Sequence, residues 1–329
     1  MSDGPRASRH LGLDLGGTNI KWAVVERDGE TWRSLGRDQV VTPTAGGPDI
    51  VVARLATVGA EAIGRCPGVS SIGIGVPGLY DPATGTTRFL VNLSGDWAGR
   101  PVAEPVGAAL GLPASLINDA RAFGMAELWL GAGRGAGSMI GLTLGTGVGG
   151  VIAIDGRVHQ GHDGTAGEIG HQTIEPDGPL CGCGNHGCLE ALVRADRIAA
   201  ACGTTTVEAA VARARAGDVQ AIDGLAQVSR YLGIGIANMV SVITPDRVVI
   251  GGGIAAAGDL LLGPIRAELR QRVRTTSLDQ VEIVTAELGT WAGAIGAAIH
   301  GADAADQRAA GERATGQGAA NHLAAGVGR

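Results

Sequence analysis

Residues 10–26 read HLGLDLGGTNIKWAVVE, and residues 138–156 read SMIGLTLGTGVGGVIAIDG. Each is an apolar run that stops at a glycine-threonine cluster, Gly16-Gly17-Thr18 or Gly145-Thr146-Gly147, and then resumes. That is the pattern of a β-hairpin with a glycine turn. The same design appearing twice predicts an internally duplicated, two-lobed α/β protein. Between the hairpins, SIGIGVPG (71–78) and ASLINDA (114–120) read as buried strands ending in polar turns, and residues 120–133 as a helix stopped by glycine. Further on, residues 189–201 and 221–243 have helical apolar spacing. DRVVIGGGIAA (246–256) is a strand running into three glycines, and residues 290–301 form a closing helix.

A chain of 329 residues exceeds the usual size of a single core, so two lobes are expected from length as well. The division predicted is a small lobe over 1–118, onto which a closing helix at about 290–303 packs back, and a large lobe over 119–289. Aromatic residues make up only 3% of the chain, so the cores must be built from Ala, Val, Leu and Ile. A net charge of −6 argues against a broad nucleic-acid-binding face. Neither a signal sequence nor an apolar run of about eighteen residues is present, which signals neither export nor membrane spanning and predicts a cytoplasmic protein. Residues 304–329 are rich in Ala, Gly and Gln without an apolar period and are expected to be a disordered tail.

Asp14 precedes Gly16, Gly17 and Thr18, which places a carboxylate at a strand end beside a turn whose backbone N–H groups can converge on an anion. Gly145, Thr146 and Gly147 supply the second such turn. Facing each other, the two would grip a polyphosphate, with Asp14 holding Mg²⁺ through its waters. No GxxxxGK[ST] occurs, so a Walker P-loop is excluded. Asp119 follows the apolar ASLI and should lie at a strand's carboxyl end, where α/β sheets place ligands. It is either a base for an attacking hydroxyl or the N-cap of the helix that follows.

CGCGNHGCLE (181–190) gathers Cys181, Cys183 and Cys188, three of the chain's five cysteines. In a reducing compartment clustered thiols bind metal more often than they pair, and three thiolates with one imidazole make a closed structural zinc site. Two histidines are within reach, His186 inside the loop and His171 ten residues before it. His171 is the better placed, because the loop's glycines turn His186 outward. If AGEIGH (166–171) is helical, Glu168 and His171 share a face, and a metal fixed through His171 also fixes Glu168. Glu190, two residues after the last thiol, either joins that pocket or is a solvated helix start.

LDLGGTN, GIGVPG, NDA, LTLGTGVGG, GTAGEIGH, CGCGNHGCLE and VVIGGGI resemble, in order and spacing, the motifs of the ROK family (repressors, open reading frames and sugar kinases). The resemblance spans Leu11 to Ile299. It implies an actin-like ATPase (ribonuclease H-like) fold with duplicated lobes and an interlobe cleft. The activity it implies is ATP-dependent phosphorylation of a hexose at its 6-hydroxyl, with glucose expected first. N-acetylmannosamine, mannose, fructose or allose as acceptor, and polyphosphate as donor, are alternatives. A sugar-responsive repressor is a more distant one. By the same resemblance Asp119 is the catalytic base, and Asn92, Asn118, Asp119, Glu168, His171 and Glu190 bind sugar. Asp14, Gly16, Gly17, Thr18, Asn19, Gly145, Thr146, Gly147, Gly251, Gly252 and Gly253 serve ATP, and His171, Cys181, Cys183 and Cys188 hold zinc. Asn19 stands where many relatives carry lysine. The family commonly forms homodimers or homotetramers.

Overall fold

The computed structural model describes residues 7–325, and their side chains through residue 313. Two compact units account for them, one within Met1–Ile117 and Ala297–Arg329, the other Asn118–Gly296.

In the first unit β1 (Ser8–Leu15) and β2 (Asn19–Asp28) form the first antiparallel hairpin, with Asp14 opposite Lys21. Strand β3 (Thr31–Val41) extends it, and helix α1 (Gly47–Arg65) leads to β4 (Val69–Val76), which lies parallel to β1. A small ribbon of β5 (Gly78–Asp81) and β6 (Thr86–Leu90) follows, then α2 (Ala103–Leu110) and β7 (Ala114–Asn118). The sheet order is β3-β2-β1-β4-β7. Leu11, Leu13, Ile72 and Ile74 pack in one core with Val51, Leu55 and Val58 of α1. Each such burial contributes about 1.5–3 kcal/mol, so the aliphatic core needs few aromatic residues.

The second unit opens with α3 (Asp119–Leu130). The second hairpin follows, β8 (Met139–Leu144) and β9 (Val148–Ile154), with β10 (Arg157–Val158) on its edge. Helices α4 (Leu189–Val193), α5 (Ala195–Ala201), α6 (Val207–Arg215) and α7 (Val219–Ile243) precede β11 (Arg247–Gly252). Helix α8 (Asp259–Arg272) and β12 (Glu282–Thr285) complete it, in the order β10-β9-β8-β11-β12. Both sheets thus pair their central strand antiparallel with the next strand and parallel with a later one. This is the repeat the two glycine hairpins announced. Ile140, Leu142, Val248 and Ile250 share a core with Leu225, Leu232 and Ile236 of α7.

Helix α9 (Ala292–Ala325) continues through residues 304–325, the stretch in which the sequence suggests a disordered tail. Alanine has the best intrinsic helix propensity, and the helix already formed from Ala292 meets no proline that would stop it. Arg308 donates to the Ala114 carbonyl at 2.8 Å and Asp306 pairs with Arg27 at 2.7 Å, which ties this stretch to the first unit. Residues 326–329 lie outside the described residues. The units divide at 117/118 and 296/297, where the sequence placed the division at 118/119 and 289/290. The later boundary follows from packing. Gly296 lies against the Ala122 carbonyl of α3, and only from Ala297 and Gly301 onward does the helix lie on Gly73 of β4. Among the described residues no helix is long and apolar enough to cross a membrane.

Candidate active site

In the first unit the turn after β1 is pinned from behind. Thr42, which is buried, donates its hydroxyl to the Gly16 carbonyl at 2.7 Å and its backbone N–H to the Thr18 carbonyl at 2.9 Å. Within the turn the Gly16 N–H donates to the Asn19 carbonyl at 3.0 Å. Asp14 sits beside Gly75 of β4, where a Cβ on the glycine would lie 3.5 Å from its Oδ1. Desolvation pushes the Asp14 carboxyl up to about 6, against the attraction of Lys21. Asn92 adopts a left-handed backbone, φ 60°, and its carbonyl leaves no room for a side chain at Gly17, where a Cβ would come within 2.4 Å. The predicted phosphate turn and the predicted sugar residue of this unit are therefore in backbone contact.

In the second unit β7 hands over to α3 at Asn118 and Asp119. The helix cap is Asn118, whose extended backbone (φ −67°, ψ 143°) lets its Oδ1 accept from the N–H of Ala120 at 3.0 Å and of Arg121 at 3.2 Å. The N-cap alternative for Asp119 is thereby corrected: it is the first helical residue, and its Oδ1 accepts from Asn118 Nδ2 at 3.1 Å and from Ala120 N–H at 2.8 Å. The carboxylate stands at the positive end of the helix, where a negative charge is favoured.

AGEIGH is not a helix of any length but a single 3-10 turn over Ile169–His171. Its i, i+3 eclipse still brings Glu168 and His171 together, with Glu168 Oε2 3.9 Å from His171 Nε2. The other ring nitrogen, Nδ1, is 3.7 Å from Cys181 Sγ, and Cys183 Sγ is 3.7 Å from Cys188 Sγ. All four ligand atoms of His171, Cys181, Cys183 and Cys188 lie within 4.8 Å of one another. A disulfide needs about 2.05 Å, whereas a tetrahedron with about 2.3 Å metal–sulfur bonds has edges of about 3.8 Å, so the donor set fits zinc. His186 is not in the cluster; its Nδ1 pairs with the Gly178 carbonyl at 3.1 Å. Burial pushes the Cys181 thiol up to about 12 and raises Cys188, while the Asn185 N–H lowers Cys183. A cation bound there would displace those protons.

Glu190, at the start of α4, is no solvated helix end. Its Oε2 accepts from the Val148 N–H at 2.9 Å, and Cys181 Sγ lies 3.6 Å from its Oε1. It joins the cysteine loop to the turn Gly145-Thr146-Gly147, which is closed by the Gly145 N–H to the Gly147 carbonyl at 2.9 Å. The triple glycine reaches the same sheet end: Gly252 of β11 is in register with Leu144 of β8. Gly252 has φ 92°, and a Cβ there would fall 1.9 Å from the Leu144 carbonyl, so glycine is required. Gly251 and Gly253 flank it. Both glycine turns thus lie at the carboxyl ends of adjacent parallel strands, where open α/β sheets bind ligands.

Sequence reasoning missed Arg121. Its side chain is 1% exposed and bonds the segment that carries Glu168. The signal was available, since a cation in a first helical turn opposes the helix dipole.

The sequence pattern that defines the ROK family matches residues 10–303. The chain belongs to the ROK family. Among ROK relatives, a glucokinase of Thermotoga maritima is 33% identical over 307 residues, covering 88% of this chain and 95% of that one. A ROK family glucokinase from Streptomyces griseus, solved in complex with glucose and AMPPNP, superposes with a TM-score of 0.77 at 31% identity. That match covers 90% of this chain and 100% of the other. A ROK transcriptional regulator homologous to the E. coli MLC protein gives a TM-score of 0.78 at 28% identity, covering 88% of this chain and 76% of that one. The expected actin-like ATPase architecture is the fold of these ROK proteins.

Proposed function

We propose that this ROK protein is an ATP-dependent hexose kinase, a glucokinase that makes glucose 6-phosphate. The observation that carries the reading is the first turn of α3. It presents Asp119, while Arg121 of the same turn holds the segment bearing Glu168, so a base and a hydroxyl-binding carboxylate share one rigid scaffold. The relatives' names and covered lengths support it.

In this reading Asp119 accepts the proton of the sugar's 6-hydroxyl as that oxygen attacks the γ-phosphorus and the bond to the bridging β–γ oxygen breaks, releasing ADP. Asn92, Asn118, Glu168, His171 and Glu190 orient the sugar, carboxylates and amides being suited to pairs of vicinal hydroxyls. The turns at Gly16-Gly17-Thr18-Asn19 and Gly145-Thr146-Gly147 hold phosphates, and Gly251-Gly252-Gly253 borders the rest of the nucleotide. Mg²⁺, held by Asp14 through water, would neutralise charge on the leaving phosphates. His171, Cys181, Cys183 and Cys188 would hold a structural zinc ion that leaves no position open for substrate.

The test is initial-rate phosphorylation over a panel of hexoses and N-acetylhexosamines, with ATP–Mg²⁺ and polyphosphate as donors. Glucose with ATP is expected to be preferred. Asp119→Ala is expected to lose about 10²–10⁴-fold in kcat, the usual contribution of a positioned base, while keeping glucose affinity and bound metal. A fully active Asp119→Ala protein refutes the mechanism. Because the fold is shared with a transcriptional regulator, absence of turnover together with sugar-sensitive retardation of duplex DNA would replace it.

A further inference from the structure

We propose that Arg121 is a positioning residue of the hexose pocket, fixing the Glu168 carboxylate in the orientation that binds sugar. This rests on the reading of Glu168 as a sugar ligand.

Arg121 is among the largest fully buried side chains of the chain. Burying a guanidinium carries a desolvation penalty, and its place in the first turn of α3 sets it against the helix dipole. An apolar side chain of similar volume would incur neither cost. What the charge does must therefore be sought in its partners, and they lie in one short segment. Nε and Nη2 both donate to the Ala166 carbonyl, at 3.0 and 2.8 Å, and Nη2 also donates to Glu168 Oε1 at 3.2 Å.

A planar fork gripping a backbone carbonyl and, two residues on, a carboxylate fixes the separation between them, which a single ammonium cannot do. Glu168 is then held through Oε1 by Arg121, while its Oε2 lies 3.9 Å from His171 Nε2. Its side chain nevertheless remains 43% exposed. An exposed glutamate otherwise samples several rotamers, and ordering it on binding opposes affinity. Arg121 supplies that order before the sugar arrives. It touches neither the α3 base nor the glycine turns through any of these bonds, so its effect falls on sugar affinity.

The test is a double-mutant cycle on the full-length, metal-loaded protein, using Arg121→Met, Glu168→Gln and the double variant, read by calorimetric glucose binding and steady-state rates. Arg121→Met is expected to raise the glucose Kd and KM about 10-fold, with kcat and the KM for ATP within about 3-fold. Glu168→Gln is expected to raise the glucose KM further, and adding Arg121→Met to it to change nothing more. Independent, multiplying effects would show that Arg121 supports only the fold, and overturn the proposal. So would an Arg121→Met protein with unchanged glucose affinity. If Glu168→Gln itself leaves glucose affinity intact, the sugar-ligand reading fails, and the proposal with it. Should Arg121→Met not fold, Arg121→Lys, which keeps the charge and most of the stem but not the fork, decides through the same cycle.

Discussion

Replacing Asp14 by asparagine is expected to make the folded chain more stable at neutral pH while it abolishes turnover. Desolvation holds the carboxyl at about 6 in the folded chain against an ordinary value of 3.8, even with Lys21 opposite it across the hairpin. Because the folded value is raised, the group's favourable contribution is complete below its unfolded pKa and is lost as the pH rises through about 6. Above that, keeping Asp14 ionised costs about 3 kcal/mol relative to a neutral side chain, at roughly 1.4 kcal/mol per unit. That figure is a ceiling, since the residue is only partly buried. The assay is urea denaturation of wild type and Asp14→Asn at about pH 8 and about pH 4, without nucleotide or Mg²⁺, so that only the carboxyl titration differs. The variant's advantage should be about 2–3 kcal/mol at the higher pH and close to zero at the lower, with kcat reduced at least about 10²-fold. A stability difference independent of pH, or a variant less stable at both values, would refute the reasoning.

Cys181→Ser is expected to lose metal and glucose affinity together, because His171 belongs to the metal cluster and lies beside Glu168. Metal analysis and calorimetric glucose titration on one preparation check this, and a metal-free variant with wild-type glucose affinity would disprove it. Gly17→Ala is expected to weaken glucose as well as ATP, because the new methyl would drive into the Asn92 carbonyl. Overpacking of that kind costs about 1–3 kcal/mol of stability, which sets a ceiling of roughly 150-fold on the rise in KM when all of it is relieved by displacing the two loops. A rise in the KM for ATP alone would separate the two loops.

The hairpins were legible because what makes them is local: an apolar run, a turn that needs glycine, and a second run, all within about twenty residues. The grouping of His171 with Cys181, Cys183 and Cys188 was legible for the same reason, since C-x-C-x4-C and the histidine ten residues before it lie within one short segment. That Asn118 rather than Asp119 caps the helix was not legible. Both side chains suit an N-cap, and the decision rests on which residue keeps extended backbone angles. The extent of the last helix was not legible, because the absence of an apolar period shows only that no broad face is buried; an alanine-rich segment can continue a helix that another part of the fold has begun. The contacts that organise the site, Gly17 with Asn92, Glu190 with Val148, and Arg121 with the segment around Glu168, join residues 42 to 75 positions apart. No periodicity encodes such pairings. They leave a trace only as a local cost: a glycine without room for a methyl, or a cation in the first turn of a buried helix. The cost at Arg121 was visible in the sequence as a charge set against the helix dipole, and the structure shows the carbonyl and carboxylate that offset it.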